Sequence, residues 1–178
     1  MIFVGLQNAE VKYAKTRHNV GAIVLDYLVK GLDGKFQLDK YTNCFKYNNF
    51  YLPNTFMNLS GESVGKIHNQ EKKNDENFLS KNIFVFFDDV TIPVGEYKIS
   101  VGEGASSHNG IKSIIEHLGG KNDFVRVRIG VGRIVEGKVY EPGPEKLSDF
   151  VLSNLNNLEI VQIQSLGKEI LEKIESMV

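Results

Sequence analysis

Two of the four histidines sit in similar surroundings, Arg17-His18-Asn19 and Ser107-His108-Asn109, each just ahead of a helical pattern. The partial positive charge of a helix N-terminus disfavours an imidazolium, so a histidine there stays neutral and available as a base. Asp88 follows the apolar run in FVFFDD. A carboxylate at a strand end can accept an imidazole N–H, fix the tautomer and stabilise the cation formed when a proton is taken. Such a His-Asp dyad activates a hydroxyl or water. Ser106 and Ser107 lie next to His108, but no G-x-S-x-G elbow surrounds them, so water is the expected nucleophile. His68, in a polar stretch, and His117, near a helix end, read as structural or surface residues.

Other groups carry weaker signals. Gly102-Glu103-Gly104 lacks the third glycine of a dinucleotide loop, and Glu103 would repel a pyrophosphate. His18, Asp88 and His108 could meet at a metal ion, but their spacing matches no ligand motif, and neither a metal nor another cofactor is expected. TFMNLSG seats Phe56, Met57 and Asn58 side by side before a helical pattern, where core packing with an Asn or Ser cap is the ordinary reading. In FVRVRIGVGR, Val125, Val127, Ile129 and Val131 point one way while Arg126 and Arg128 point the other. The ordinary reading of those arginines is a solvated face. Together with Lys98, Lys112, Arg133 and Lys138 they could also form a modest basic surface, since arginine forks suit phosphate oxygens.

These groups need a scaffold, and the sequence outlines one. Alternation and apolar runs predict strands near Ile2 to Gly5, Cys44 to Leu52 with a turn at Asn48-Asn49, Ile83 to Phe87, Glu96 to Val101, and Val125 to Val131. Helical spacing joins Val20, Ile23, Val24, Tyr27 and Leu28 up to Gly31, and Ile111, Ile114, Ile115 and Leu118 up to Gly119-Gly120. A further helix starts near Ser60, and a short and then a longer helix follow Glu145, the longer one holding Leu158, Val161, Leu166, Ile170 and Ile174. Residues 68 to 82 read as a mobile loop or a frayed helix end. Strands interleaved with helices imply a single α/β domain with a mixed, mostly parallel central sheet flanked by helices. In such a fold ligands gather beyond the carboxyl ends of the strands, and Asn8, Asp88 and the loop before His108 all follow strands.

The 178 residues suit one domain, and the composition is that of an ordinary globular protein. The N-terminus lacks the basic region of a signal peptide, and no apolar run approaches the roughly 20 residues that span a bilayer, so a cytoplasmic protein is expected. Cys44 is the single cysteine, which excludes an internal disulfide. The net charge of -1 gives no global attraction for DNA, RNA or acidic membranes, so any polyanion must meet a local patch.

Taken in order, GLQN, Y-A-K-T-R-H-N-V-G, TFMNLSG, DDVTIPVG, the H-N-G-I-K-S-I-I block and F-V-R-V-R-I-G-V-G resemble the bacterial peptidyl-tRNA hydrolase family over nearly the whole chain. The resemblance implies hydrolysis of the ester between a peptide and the 3′-terminal ribose of tRNA, without a cofactor, by a protein that is typically monomeric and meets the acceptor stem and 3′ terminus. It makes His18 the catalytic base, Asp88 the carboxylate that holds it in basic form, and Asn8 the residue separating peptidyl from free aminoacyl substrates. Asn58 and Asn109 become the amides that bind substrate and position water. Tyr13 and Phe56 touch the tRNA terminus, Met57 with Phe56 walls the channel, and His108 and Arg128 complete the substrate and tRNA contacts. Chemically, a neutral acceptor arrangement around Asn8 could tell a blocked amine from a free ammonium. Three departures from the family pattern stand out. Asn8-Ala9-Glu10 replaces N-P-G, Ala105-Ser106-Ser107 replaces glycines before H-N-G, and Ser100 replaces a basic residue that pairs with Arg128 around the tRNA 5′-phosphate. Lys98 lies on the face of Ser100. A non-catalytic RNA-binding relative and a hydrolase of some other small ester are the competing readings.

Overall fold

In the computed structural model, which describes residues 1–102 and 107–177, the chain runs β1 (Ile2–Gly5), α1 (Val20–Gly31), β2 (Gln37–Asp39), β3 (Cys44–Tyr47), β4 (Phe50–Pro53), α2 (Ser60–Asn74), β5 (Ile83–Pro93), β6 (Tyr97–Val101), α3 (Asn109–His117), β7 (Val125–Val135), β8 (Lys138–Tyr140), α4 (Pro144–Leu152) and α5 (Asn157–Glu175). Glu103 to Ser106 lie outside the described residues, and with them the Ala105-Ser106 substitution, the hydroxyl of Ser106 and most of the Gly102-Glu103-Gly104 stretch.

The strands form one sheet in the order β2-β3-β4-β1-β5-β7-β6, with β8 paired to β7. Its centre, β4-β1-β5-β7, is parallel, and antiparallel pairs form both edges: β2-β3-β4 on one side and β6 against β7 on the other. The central strands read as unbroken apolar runs because both of their faces are covered. Phe84 and Phe86 turn toward α1 and α5, packing with Phe3, Val24, Leu25, Val127 and Ile170. Ile83, Val85 and Phe87 turn toward α2 and α3, packing with Val4, Leu6, Val64, Ile67 and Ile114. A single α/β domain with helices on both faces results.

Several expectations change. Residues 68 to 74 continue α2, with His68 buried against the Phe78 ring, and a 3-10 turn takes up Ser80–Asn82, so only residues 75 to 79 are loop. Of the apolar residues assigned to the last helix, Leu158 and Val161 are exposed; Ile163, Leu166, Ile170 and Ile174 carry its buried stripe. Neither Asn58 nor Ser60 caps α2. A 3-10 turn over Met57–Leu59 leads into the helix, and the Ser60 hydroxyl donates to the Met57 carbonyl at 2.8 Å. Arg126 and Arg128 are not on a solvated face: the side of β7 they share is the one that α2 and α3 cover, and Arg126 is 3% exposed.

Close approach of backbone decides where the chemistry can sit. At the first turn of α1, a Cβ on Gly21 would lie 2.1 Å from the Phe86 carbonyl oxygen, so only glycine lets this helix start directly against β5. Gly21→Ala should therefore push α1 away and cost at least about 2 kcal/mol, a fall in Tm of roughly 4–8 °C, measured by thermal unfolding. An unchanged Tm would show that the helix can shift without cost.

Candidate active site

Docking α1 onto β5 places the preceding turn, Arg17–Asn19, at the carboxyl end of the parallel strands. Beyond the same strand ends lie Asn8 from the segment after β1, Asp88 within β5, the Met57–Leu59 turn, and His108 at the N-cap of α3. Strand β5 runs on past Phe87 because Asp88 and Asp89 still pair with Ile129 and Gly130 of β7. That pairing fixes the backbone that carries the Asp88 carboxyl.

Asp88 Oδ1 lies 2.6 Å from His18 Nδ1 and 2.9 Å from His108 Nε2. Burial alone would raise its pKa, but the charges and hydrogen bonds of the two imidazoles outweigh this and hold Asp88 well below the ordinary carboxylate range. An ionised carboxylate only accepts, so both ring nitrogens donate to it. His18 is thereby fixed with the proton on Nδ1 and the lone pair on Nε2, on a ring that lines the cleft. Burial pulls the His18 pKa down, yet the charge and hydrogen bond of Asp88 prevail and leave it above the usual histidine value. The carboxylate partner thus opposes the pull of the helix N-terminus toward the neutral form.

His108 is engaged by its neighbours on both sides of the ring. Its Nε2 faces Asp88 and its Nδ1 accepts the Ile111 N–H at 3.4 Å as the cap of α3, so both ring nitrogens are engaged within the protein. His18, Asp88 and His108 offer ligand atoms within 4.8 Å of one another, the one such cluster among the described residues. A divalent cation held there would displace the two shared protons, so cation loading and the general-base arrangement exclude each other.

Around this trio opens a cleft of about 770 Å³, within the roughly 300–1,000 Å³ usual for ligand sites. Asn8, Met57, Asn58, His108 and Asn109 line it together with Arg126 and Arg128; Tyr13 and Phe56 stand outside that lining, the latter on the surface. Asn8 Oδ1 accepts the Met57 N–H at 2.8 Å. This leaves the Asn8 Nδ2 donor, not an acceptor, to meet a ligand. The altered loop after it is tied down in another way: the Ala9 N–H, which a proline would lack, donates to the Thr55 carbonyl at 3.1 Å, and Glu10 pairs with Lys12 at 2.7 Å. Arg128 is held by Asp89 at 2.7 Å, and Lys98 faces it across the β6-β7 ladder.

Three features of the site escape sequence reasoning. The outer wall is α4, through Leu147, Ser148, Val151 and Leu152, an assignment no local motif marks. Arg17, beside the base, is fully buried: its guanidinium donates to the Val131 carbonyl at 2.9 Å and to Glu159 at 2.7 Å, and lies over the Phe150 ring. Asn19 is buried against Asn8. A charged residue in a basic-aromatic sequence gives no hint of such burial; the nearest signal was the R-H-N triplet itself.

Fold and site together mark a hydrolase built on a single α/β domain, with a histidine-carboxylate pair at the carboxyl edge of its sheet. Residues 2–178 match the peptidyl-tRNA hydrolase family, and the chain belongs to it. Its relatives include the peptidyl-tRNA hydrolases of Thermodesulfovibrio yellowstonii, 37% identical over 100% of this chain and 90% of that protein, and of Aliarcobacter butzleri, 35% identical over 99% and 91%. The crystal structure of peptidyl-tRNA hydrolase from Acinetobacter baumannii superposes with a TM-score of 0.77 at 26% identity, covering 97% of this chain and 85% of that one.

Proposed function

We propose that this protein hydrolyses the ester joining a peptide to the 3′-terminal ribose of tRNA, with His18 as the general base and Asp88 as its partner. Hydrolysis of peptidyl-tRNA follows from the family. The observation that supports these roles is the 2.6 Å contact between His18 Nδ1 and Asp88 Oδ1, which leaves Nε2 to take a proton. A water held at Nε2 loses its proton to the ring as its oxygen attacks the ester carbonyl. The carbonyl carbon–ribose oxygen bond then breaks, and the imidazolium returns the proton to the departing ribose oxygen. Asn58 and Asn109 supply neutral amide donors to the developing oxyanion and to the water.

Asn8 reads the acyl group through Nδ2. A blocked substrate offers the extra carbonyl of its amide; a free aminoacyl ester offers an ammonium, which cannot accept a hydrogen bond. Arg126 and Arg128 give the cleft basic groups for the tRNA backbone, with Lys98 beside Arg128 on the neighbouring strand, although the chain as a whole carries a net charge of -1. A monomer acting in the cytoplasm belongs to this reading; no helix among the described residues is long and apolar enough to cross a membrane.

The test compares release from N-acetyl-aminoacyl-tRNA and from the same tRNA with a free amine. Fast release from the blocked form, weakening as salt rises, is expected. Binding of tRNA without release would overturn the enzymatic reading in favour of a non-catalytic RNA-binding relative.

A further inference from the structure

We propose that Asn19 is the positioning residue that sets discrimination between N-blocked and free aminoacyl esters, by locking the backbone of Asn8. This rests on the reading of Asn8 given above.

Asn19 occupies the N-cap position of α1, where an asparagine ordinarily accepts a helical N–H and stabilises the helix by about 1 kcal/mol. Here it makes no cap bond. Its side chain turns the other way and grips one residue twice: Oδ1 accepts the Asn8 N–H at 2.9 Å, and Nδ2 donates to the Asn8 carbonyl at 3.0 Å. Asn19 is 2% exposed and Asn8 8%, so neither bond competes with bulk water. A carboxamide is the one side-chain group of this length that offers a donor and an acceptor side by side, as a peptide unit does. The chain of contacts continues outward, because Asn8 Oδ1 holds the Met57 N–H. Asn19 thus fixes the Asn8 backbone, Asn8 fixes the turn carrying Asn58, and the Asn8 Nδ2 is left as the free donor at the end of a rigid series.

The position also links reading to chemistry. Asn19 directly follows His18, so the same turn that presents the base holds the residue that inspects the acyl group. Loosening Asn8 lets its amide rotate, so that Oδ1 can face the cleft and accept from an ammonium as readily as Nδ2 donates to a carbonyl. Discrimination is lost before chemistry.

The test measures kcat/KM for N-acetyl-aminoacyl-tRNA and for the free aminoacyl-tRNA, and takes their ratio, in the wild-type protein and in Asn19→Ala, Asn19→Asp and Asn8→Ala. Asn19→Asp is nearly isosteric and keeps the acceptor for the Asn8 N–H while setting an oxygen against the Asn8 carbonyl, so it guards against a failure of Asn19→Ala to fold. In both Asn19 variants the ratio should fall about tenfold, the worth of one or two buried hydrogen bonds. In Asn19→Ala, which adds no charge beside His18, the acid limb of the pH–rate profile for the blocked substrate should stay in place, since the His18–Asp88 contact is untouched. A residue with a merely structural role would slow both substrates equally, and an unchanged ratio in the Asn19 variants beside a reduced one in Asn8→Ala would overturn the inference while leaving Asn8 as the reader. An unchanged ratio in all three would remove Asn8 from that role and the inference with it.

Discussion

His18→Ala should lower kcat for an N-blocked aminoacyl-tRNA by about 10²–10⁴-fold, the usual worth of a positioned general base, with little change in KM. The change is confined to the chemical step because the His18 ring touches Asp88 and the cleft, whereas the basic groups of the cleft come from β7. The fold should tolerate the truncation: the ring sits at the cleft margin, and α1 is held by Val20, Val24 and Leu25 in the core. Single-turnover release and equilibrium binding of tRNA, measured side by side, separate the two effects. Retained turnover would mean that some other group activates the water.

Asp88→Asn should cost about 10²–10⁴-fold in kcat and, more tellingly, move the pH dependence. His18 must be unprotonated to accept a proton, so the rate of the wild-type protein rises as pH climbs through a His18 pKa that lies above the ordinary histidine value of about 6.5. Without the Asp88 charge, burial is left as the dominant influence on the ring and lowers that pKa. The acid limb should therefore shift to lower pH even as the plateau falls, and an acid limb that does not move would refute the assignment. Stability follows the opposite sign. A raised His18 pKa contributes stability that is full below about pH 6.5 and is lost as pH rises through the folded value. The depressed pKa of Asp88 contributes stability that is present above the unfolded carboxylate value and is lost as pH falls through the folded one.

Much of this architecture was legible because its signals are local. Helix α1 announced itself by spacing, and β1 and the start of β5 by apolar runs that only a doubly covered strand can carry. The end of β5 did not, because Asp88 to Pro93 has neither apolar alternation nor β-formers throughout; it is a strand through its pairing with β7, across a register shift. Strands β2 and β8 are three-residue edge pieces with exposed positions, whose existence depends on a neighbour. The site divides along the same line. His18, Asp88 and the H-N-G block stood out as motifs, while the double grip of Asn19, the burial of Arg17 and the α4 wall arise from residues brought together across the fold. The donor character of Asn8 also needed structure, since an amide presents either end until its partner is known.

The arginine beside the base has a bearing on how the protein is made. Arg17 is anchored by Glu159, 142 residues further along, and Thr16 bridges to Asn154. A growing copy of this chain is itself a peptide esterified to tRNA, the very bond its finished form cleaves. While Glu159 and Asn154 are still unmade or inside the ribosome, the turn that presents His18 lacks these two braces. The order of synthesis thus leaves the support of the base to be completed long after the base itself has been made.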